Sequence, residues 1–450
     1  MSLSADDSRK LAHLLRRAGF GARPSEWKAY AKLGLAGTTD RLLHPEAIPE
    51  QMSSLVQEIS GDYVDFDSID SLRKWWAFRM LHTPRPLEEK MTLFWHNHFA
   101  TANFKVDNPR WMWQQNELFR SHALGNFRNL LQAVSRDPAM LVWLDGAENR
   151  KGRPNENYGR ELLELFTLGI GGGYTETDVK EAARAFTGWQ FDRDSSMFVF
   201  NAGQHDDGVK TFLGQTGNFN GDDIIDIVVR HPSTAKFVCT KLFKFFIHDD
   251  PTPAEVAPFV AAYFHSGYDM RAVVGAMLTS PVFYSPAAYY NKIKSPAEFT
   301  VTTLRCLDAS MSAANNNLFG AMRGMGQELF NPPNVKGWLE GQAWINTMTV
   351  LARINFVSQL TNEMSRRGMV ADSLRGCLQA MGENGPLSTP DQLVDAVWGA
   401  LLPGHTPSPK TRAALIDYVR DGAHPDQAHF DRSAQGLLTL VLSAPEYHLA

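Results

Sequence analysis

Three stretches carry residue types able to do chemistry. In "NENYGRELLELFTLG", residues 155–169, carboxylates stand inside a leucine-rich run. "LFWHNHFAT", residues 93–101, sets His96 and His98 among aromatic side chains. "HDDGVKTFLG", residues 205–214, gathers a histidine, two aspartates and a lysine around Asp207–Gly208. Imidazole and carboxylate together can ligate a divalent metal or exchange protons as general acid and base. An arginine beside them can hold an anionic group.

Helical geometry sorts these candidates. Stepping roughly 100° per residue from Tyr158 puts Glu161 on the flank of the apolar face, between Leu165 and Leu168. A carboxylate there is costly to bury unless it is paired, hydrogen-bonded, protonated or bound to a metal. Arg184, beside the packing face of the next predicted helix, is the simplest partner; a metal-ligand or acid/base role is the alternative. Glu164 falls beside Arg160 as an i,i+4 pair, which if exposed supports the helix by only about 0.2–0.5 kcal/mol. His96 and His98 stand about 200° apart on a helix, so one ion takes both only if the helix ends or unwinds between them. His205 and Lys210 flank a turn that Asp207–Gly208 explains by itself.

A fourth stretch, "FNPPNVKGWLEGQAWIN" (330–346), has the makings of a rigid wall. Its paired prolines fix an extended path, its glycines allow bends, and Trp338 and Trp344 supply flat faces that can line a pocket, stack on a sugar or plug the core.

The elements that must position these residues read as mainly helical. Capped apolar runs appear at 6–19, 69–102 (split at "HTPRP") and 109–144, with Ser25 as the expected cap of a helix ending at Gly34. Thr175 and Asp178 form an acidic capping box for a helix that Gly188 ends. Between 197 and 214 the pattern changes to β-branched and aromatic residues around Asp207–Gly208, which predicts a β-hairpin standing out of the helical body. The fold expected is one large multi-helix globular domain with a small hairpin insertion. Its parts are a core over 1–360 and a C-terminal helical hairpin region, 361–450, packed on it.

The chain has 450 residues, 44% of them hydrophobic, and a net charge of −5 from 44 basic and 49 acidic side chains. The charges are interspersed, so no basic stripe nominates nucleic acid as partner. Three separated cysteines make neither a disulfide framework nor a metal knuckle. No apolar run reaches the roughly 20 residues of a membrane span. Arg16–Arg17 is not followed by the apolar segment that a twin-arginine signal requires, so the chain as written is expected in the cytoplasm. Phosphate-loop, nucleophile-elbow, HExxH and dinucleotide patterns are missing.

The motifs converge on a resemblance. "HLLRRAGFGARPSE", "LFWHNHFAT", "NENYGRELLELFTLG", "YTETDVKEAARAFTGW", "HDDGVKTFLG", "KSPAEF" and "LFNPPNVKGWLEGQAWIN" together resemble the bacterial family of domain of unknown function 1800, over about residues 10–360. The resemblance brings no established activity. It marks His96, His98, Asn155, Glu156, Asn157, Arg160, Glu161 and Glu164 as motif residues, with Arg184, Trp189, His205, Asp206, Lys210, Asn334, Trp338 and Trp344. It also implies a sulfatase-like partner protein, and export for many members.

Two functions follow as expectations. In one, the Glu161 helix, the His96/His98 segment and the His205 hairpin meet in a polar pocket of an enzyme. Glu161, His98 and His205 act as acid, base or ligand, and Arg160 or Arg184 holds an anion. Asn157, Lys210, Asn334, Trp338 and Trp344 contact substrate, and a divalent metal is held by a set drawn from His96, His98, Glu161, Glu164, His205 and Asp206. A haem or di-metal oxidoreductase and a glycan-directed hydrolase both fit that outline. In the other, the chain is a non-catalytic scaffold binding a partner protein or a glycan, and the same residues form a buried salt-bridge network.

Overall fold

Prolines and side-chain caps set most of the helix starts. The computed structural model describes residues 4–50, 64–311, 318–380, 389–421 and 427–450. Helix α1 (Ala5–Arg17) begins where the Ser4 hydroxyl accepts the Asp7 N–H at 3.1 Å. Helix α2 (Pro24–Leu43) starts on Pro24 rather than after Ser25. Proline has no N–H to leave unsatisfied at a first helical position, and the Glu26 carboxylate takes the Arg23 N–H at 2.9 Å. Gly34, at φ 69°, breaks α2 where the expected helix end lay. Helices α3 (Ile69–His82) and α4 (Pro86–His98) are the pair divided at "HTPRP".

Short helices α5 (Asn103–Val106), α6 (Pro109–Ser121), α7 (Phe127–Ser135) and α8 (Pro138–Trp143) lead to α9 (Glu156–Glu161). Helix α10 (Glu176–Ala185) carries the expected capping box: Asp178 N–H donates to Thr175 Oγ1 (3.3 Å) and Thr175 N–H to the Asp178 carboxylate (2.7 Å).

The single hairpin expected over 197–214 is instead two separate antiparallel ribbons. Strand β1 (Trp189–Phe191) pairs with β2 (Phe198–Phe200), and β3 (Lys210–Phe212) with β4 (Gln215–Gly217). Asp207–Gly208 reverses neither ribbon. The Asp206 carboxylate accepts the Gly208 N–H at 2.9 Å, and Lys210 Nζ donates to the Asp206 and Gly208 carbonyls at 2.6 and 3.0 Å, so this loop curls on itself. The tight reversal falls at Leu213 (φ 47°) and Gly214 (φ 75°), two successive left-handed residues of the kind that two-residue hairpins use.

The remainder is helical: α11 (Gly221–Arg230), α12 (Pro232–Phe246), α13 (Pro253–His265), α14 (Met270–Thr279), α15 (Pro296–Cys306) and α16 (Leu318–Gly324). An irregular segment containing Trp338 then runs to α17 (Thr347–Arg366), followed by α18 (Val370–Ala380), α19 (Pro390–Leu401), α20 (Pro409–Asp421) and α21 (Gln427–Ser443). The fold is thus mainly α, and one continuous apolar core joins residues from Leu14 to Tyr447. Helix α17 crosses residue 360 and packs on α21, while Lys294 Nζ donates to the Tyr447 carbonyl at 2.6 Å.

Helix α4 is the pivot of this arrangement. Glu89, fully buried on it, accepts Arg79 Nε of α3 (2.9 Å), Arg120 Nε of α6 (2.6 Å) and the Trp76 indole N–H (3.2 Å). Those partners outweigh the cost of burial and hold the carboxyl down to about 2. Lys90, next along, is also fully buried; it donates to the Gly19 carbonyl at 3.0 Å and pairs with Glu298 of α15. Two adjacent charges on α4 therefore lock it to three other helices.

Candidate functional site

The exit of α4 brings together part of the expected set, His96, His98 and Trp338. His96 and His98 are both buried, and they point to different neighbours. The His98 ring N–H donates to the Phe166 carbonyl at 3.0 Å. Burial pushes its pKa well down, helped by the charge of Lys241. His96 is surrounded by Trp76, Phe119, Phe330 and Trp338, with ring centroids 5.3–6.1 Å away, and neither ring nitrogen has a hydrogen-bond partner among the described residues. Burial alone takes it down to about 3, so it is a neutral core ring.

The Phe166 carbonyl is available because the helix changes its winding. After α9, residues Leu162–Phe166 form a π-turn, a rare local geometry found often at functional positions. The wider turn shifts the carbonyl ladder, and side chains take up freed acceptors: Thr167 Oγ1 donates to the Leu162 carbonyl at 2.5 Å, and His98 reaches Phe166. Glu161 stands at the junction, half-buried, with no hydrogen bond or ion pair to another described group. Burial raises its pKa, and the neighbouring Glu164 charge raises it further, against Arg160 and Lys336.

The expected Arg184–Glu161 pair does not form. Arg184 binds Asp206 (Nε to Oδ2, 2.8 Å) and Glu181 (2.8 Å), because α10 turns that edge toward the 205–210 loop. His205 belongs to the same cluster; its Nδ1–H donates to the Thr187 carbonyl at 2.9 Å. Arg160 is shared among Glu156 (3.2 Å), Glu164 (3.5 Å) and Glu176 (2.8 Å). Asn157 donates to Asp145 at 3.1 Å, and Asn334 caps its own turn by accepting the Lys336 N–H at 2.9 Å. The structure thus ties His98 to the Glu161 helix and sets His96 against Trp338, while His205, Asp206, Arg184 and Lys210 form a separate cluster. Among the described residues, no three His, Cys, Asp or Glu side chains are grouped so as to hold a metal ion.

Asn97, between the two histidines, holds the Trp338 loop. Its amide oxygen accepts the Trp338 N–H at 2.7 Å and its amide N–H donates to Glu340 at 2.7 Å. The 331–346 loop approaches so closely that only glycine fits at 337: φ is 89°, and a Cβ would lie 2.6 Å from the Asn97 carbonyl oxygen. Held in this way, Trp338 and Trp344 wall a cleft of about 470 Å³ beside Phe245. Its polar lining comes from Asn97, Lys292, Glu298, Gln327 and Glu340.

Those groups are satisfied mostly by neighbours behind the lining. Lys292 pairs with Asp249 at 2.7 Å, Glu298 with Lys90 and the Ser295 N–H, and Gln327 accepts the Ala297 N–H at 2.9 Å. The buried Trp338 indole N–H has no hydrogen-bond partner among the described residues. Lys292, Glu298 and Gln327 escape a reading by local spacing because they lie far along the chain from Asn97. The one available signal was "KSPAEF", a quoted motif in which Ser295 and Glu298 make a capping box.

Residues 13–449 match a family described as a protein of unknown function (DUF1800), so the match runs well past residue 360. No curated protein and no solved structure matches the chain.

Proposed function

The chain belongs to the DUF1800 family, and on that premise we propose that it is a non-catalytic helical binding protein that docks a partner protein through the Trp338 loop and the first turns of α17. The observation that carries this reading is an apolar stripe in the open. Leu339 is 64% exposed and Met348 73%, and Ile345, Leu351 and Ile354 are exposed with them at three-residue spacing along the helix start. Contiguous exposed apolar surface is a mark of interaction sites. The stripe borders the polar cleft through Leu339 and Ile345, so an apolar ridge and a recess able to take one side chain lie together. Meanwhile the histidines expected to be catalytic are used internally. Aliphatic residues of this kind favour a protein over a glycan, and by resemblance a sulfatase-like protein is the first partner to try.

A photo-crosslinking residue placed at Met348, with Ile170 on another exposed position as control, tests the reading in cells making the full chain. A discrete adduct from position 348, absent from 170 and lost on Leu351→Asp, supports it. Equal labelling from both positions, or none, refutes it. Because both side chains are exposed, Leu351→Asp should shift stability by no more than about 0.5 kcal/mol.

A second reading rests on Glu161, whose half-buried carboxylate is unpaired at a π-turn. There the chain is an enzyme and Glu161 its acid/base group or a metal ligand. Elemental analysis and a UV–visible spectrum of protein purified without an affinity metal or chelator test it: a stoichiometric metal or chromophore lost in Glu161→Gln would favour this reading over the scaffold.

A further inference from the structure

Arg16 and Arg17 are neighbours with opposite circumstances. Arg17 Nε and Nη2 donate to the Phe246 and Ile247 carbonyls, each at 2.8 Å. Arg16 is 8% exposed, and among the described residues none of its three guanidinium nitrogens has a hydrogen-bond partner. A guanidinium keeps its charge at any ordinary pH and presents a planar fork of donors. Buried charges are ordinarily paired, so this one is an exception that calls for a cause.

Its surroundings supply one. Arg16 lines a cavity of about 540 Å³ between α1, the start of α2 and the ends of α15, α18 and α19. The walls near it are apolar, with Leu15, Ala400 and Leu401 among them. The guanidinium lies 4.2 Å over the ring of Tyr290, whose hydroxyl donates to the Pro403 carbonyl at 2.9 Å. Tyr290 has φ 47°, a strained backbone for a bulky residue. The ring therefore occupies one face of the guanidinium and leaves its donor edges unused. The other arginine of the cavity, Arg23, is already held by Asp308 at 2.6 Å and the Leu81 carbonyl at 3.1 Å. Charges of both signs stand near the site: Arg16 helps depress the pKa values of His13, Lys294 and His405, though burial is the larger cause in each, while Glu446 raises His405 and Glu298 raises Lys294.

We propose that this cavity binds a small aliphatic carboxylate, with the carboxylate on the Arg16 fork and the hydrocarbon body against the apolar walls. A carboxylate matches the fork with two parallel hydrogen bonds. The apolar lining selects against a bare inorganic anion, and the unpaired cation selects against a neutral alkyl chain. The site is remote in sequence from the Trp338 loop and does not depend on the docking reading.

Calorimetric titration of the full chain with butanoate, hexanoate and octanoate tests this, with inorganic sulfate and octanol as controls. Affinity should rise along the carboxylate series, and both controls should bind more weakly than octanoate. Arg16→Met keeps the stem and removes the charge; it should weaken octanoate by at least about tenfold while melting close to the wild-type temperature without ligand, since no hydrogen bond or ion pair is lost and only the contact with the Tyr290 ring goes. Ala400→Phe, which fills the cavity and keeps Arg16, should also block octanoate. It serves as the deciding variant if Arg16→Met fails to fold. No binding of octanoate to the wild type, unchanged binding in the variants, or sulfate or octanol binding as tightly as octanoate would each overturn the proposal.

Discussion

Replacing Glu89 by glutamine should expose how much of this fold hangs on one carboxylate. The group is fully buried and receives Arg79, Arg120 and Trp76. Its pKa moves from an ordinary 4.5 to about 2. At about 1.36 kcal/mol per unit, that shift corresponds to roughly 3 kcal/mol of stability at neutral pH. An independent route agrees: removing one partner of a buried ion pair costs about 3–5 kcal/mol because the other charge is stranded. The lower end applies, since Arg79 keeps Glu50 at 2.7 Å and Arg120 keeps Glu117 at 2.7 Å. Relief of Glu88, pushed up to about 7 by burial and then by Glu89, offsets a further part.

The pH dependence gives this prediction its sign. A carboxyl depressed in the folded state contributes stability that is full above the unfolded pKa and is lost as pH falls through the folded one. Urea titrations of wild type and Glu89→Gln should therefore differ by roughly 3 kcal/mol near neutrality and by only about 1 kcal/mol near pH 3, at similar denaturant slopes. A gap that stays constant between those conditions, or one well under 1 kcal/mol near neutrality, would refute the claim that Glu89 is a sealed ion-pair centre.

Three other outcomes are expected. His96→Phe should be neutral or stabilising near neutrality, because neither ring nitrogen has a partner to lose. A histidine pushed down to about 3 contributes stability that is lost as pH falls below its unfolded value. Acid titration of the variant should accordingly lack a slope of about 1.4 kcal/mol per pH unit present in the wild type below about pH 6.5. Gly337→Ala should push the Trp338 loop off Asn97, costing about 1–3 kcal/mol of local stability. Hydrogen exchange should then quicken over 331–346 with little change in α4, and uniform quickening would refute a local clash. Glu161→Gln should be at least as stable as wild type near neutrality, since burial and Glu164 disfavour the charged carboxyl. That advantage should fade as pH falls to the ordinary carboxyl range, and a destabilised variant in thermal melting would show that Glu161 has a partner.

Local signals made much of the helical framework legible. Thr175–Asp178 and the break at Gly34 are decided within a few residues, so they can be read without tertiary knowledge, whereas Pro24 starts the helix that Ser25 was expected to cap. The ribbons misled for the opposite reason. Asp207–Gly208 has the composition of a hairpin turn, but Asp206 and Lys210 use their side chains to close that loop on itself. Arg184 shows the limit of periodicity: it fixed the edge of α10 on which the side chain lies but not which element faces that edge. The π-turn was invisible because a constant 100° step assumes the winding that Leu162–Phe166 abandons. Glu89 gave no sign at all, since Arg120 and Arg79 come from two other helices.

The "WHNH" segment makes the same point about function. Successive residues on a helix point about 100° apart, so three in a row cannot serve one site easily, but they can address three neighbours. His96 meets the Trp76–Phe330–Trp338 aromatic cluster, Asn97 holds the backbone of the Trp338 loop, and His98 takes the carbonyl that the π-turn frees. Glu89 and Lys90, earlier on the same helix, fix where that exit points. Histidines beside carboxylate-rich motifs suggest catalysis when read in line. Read around the helix, they join a core, a loop and an irregular helix end, and His96 and Asn97 are the two that meet the Trp338 loop.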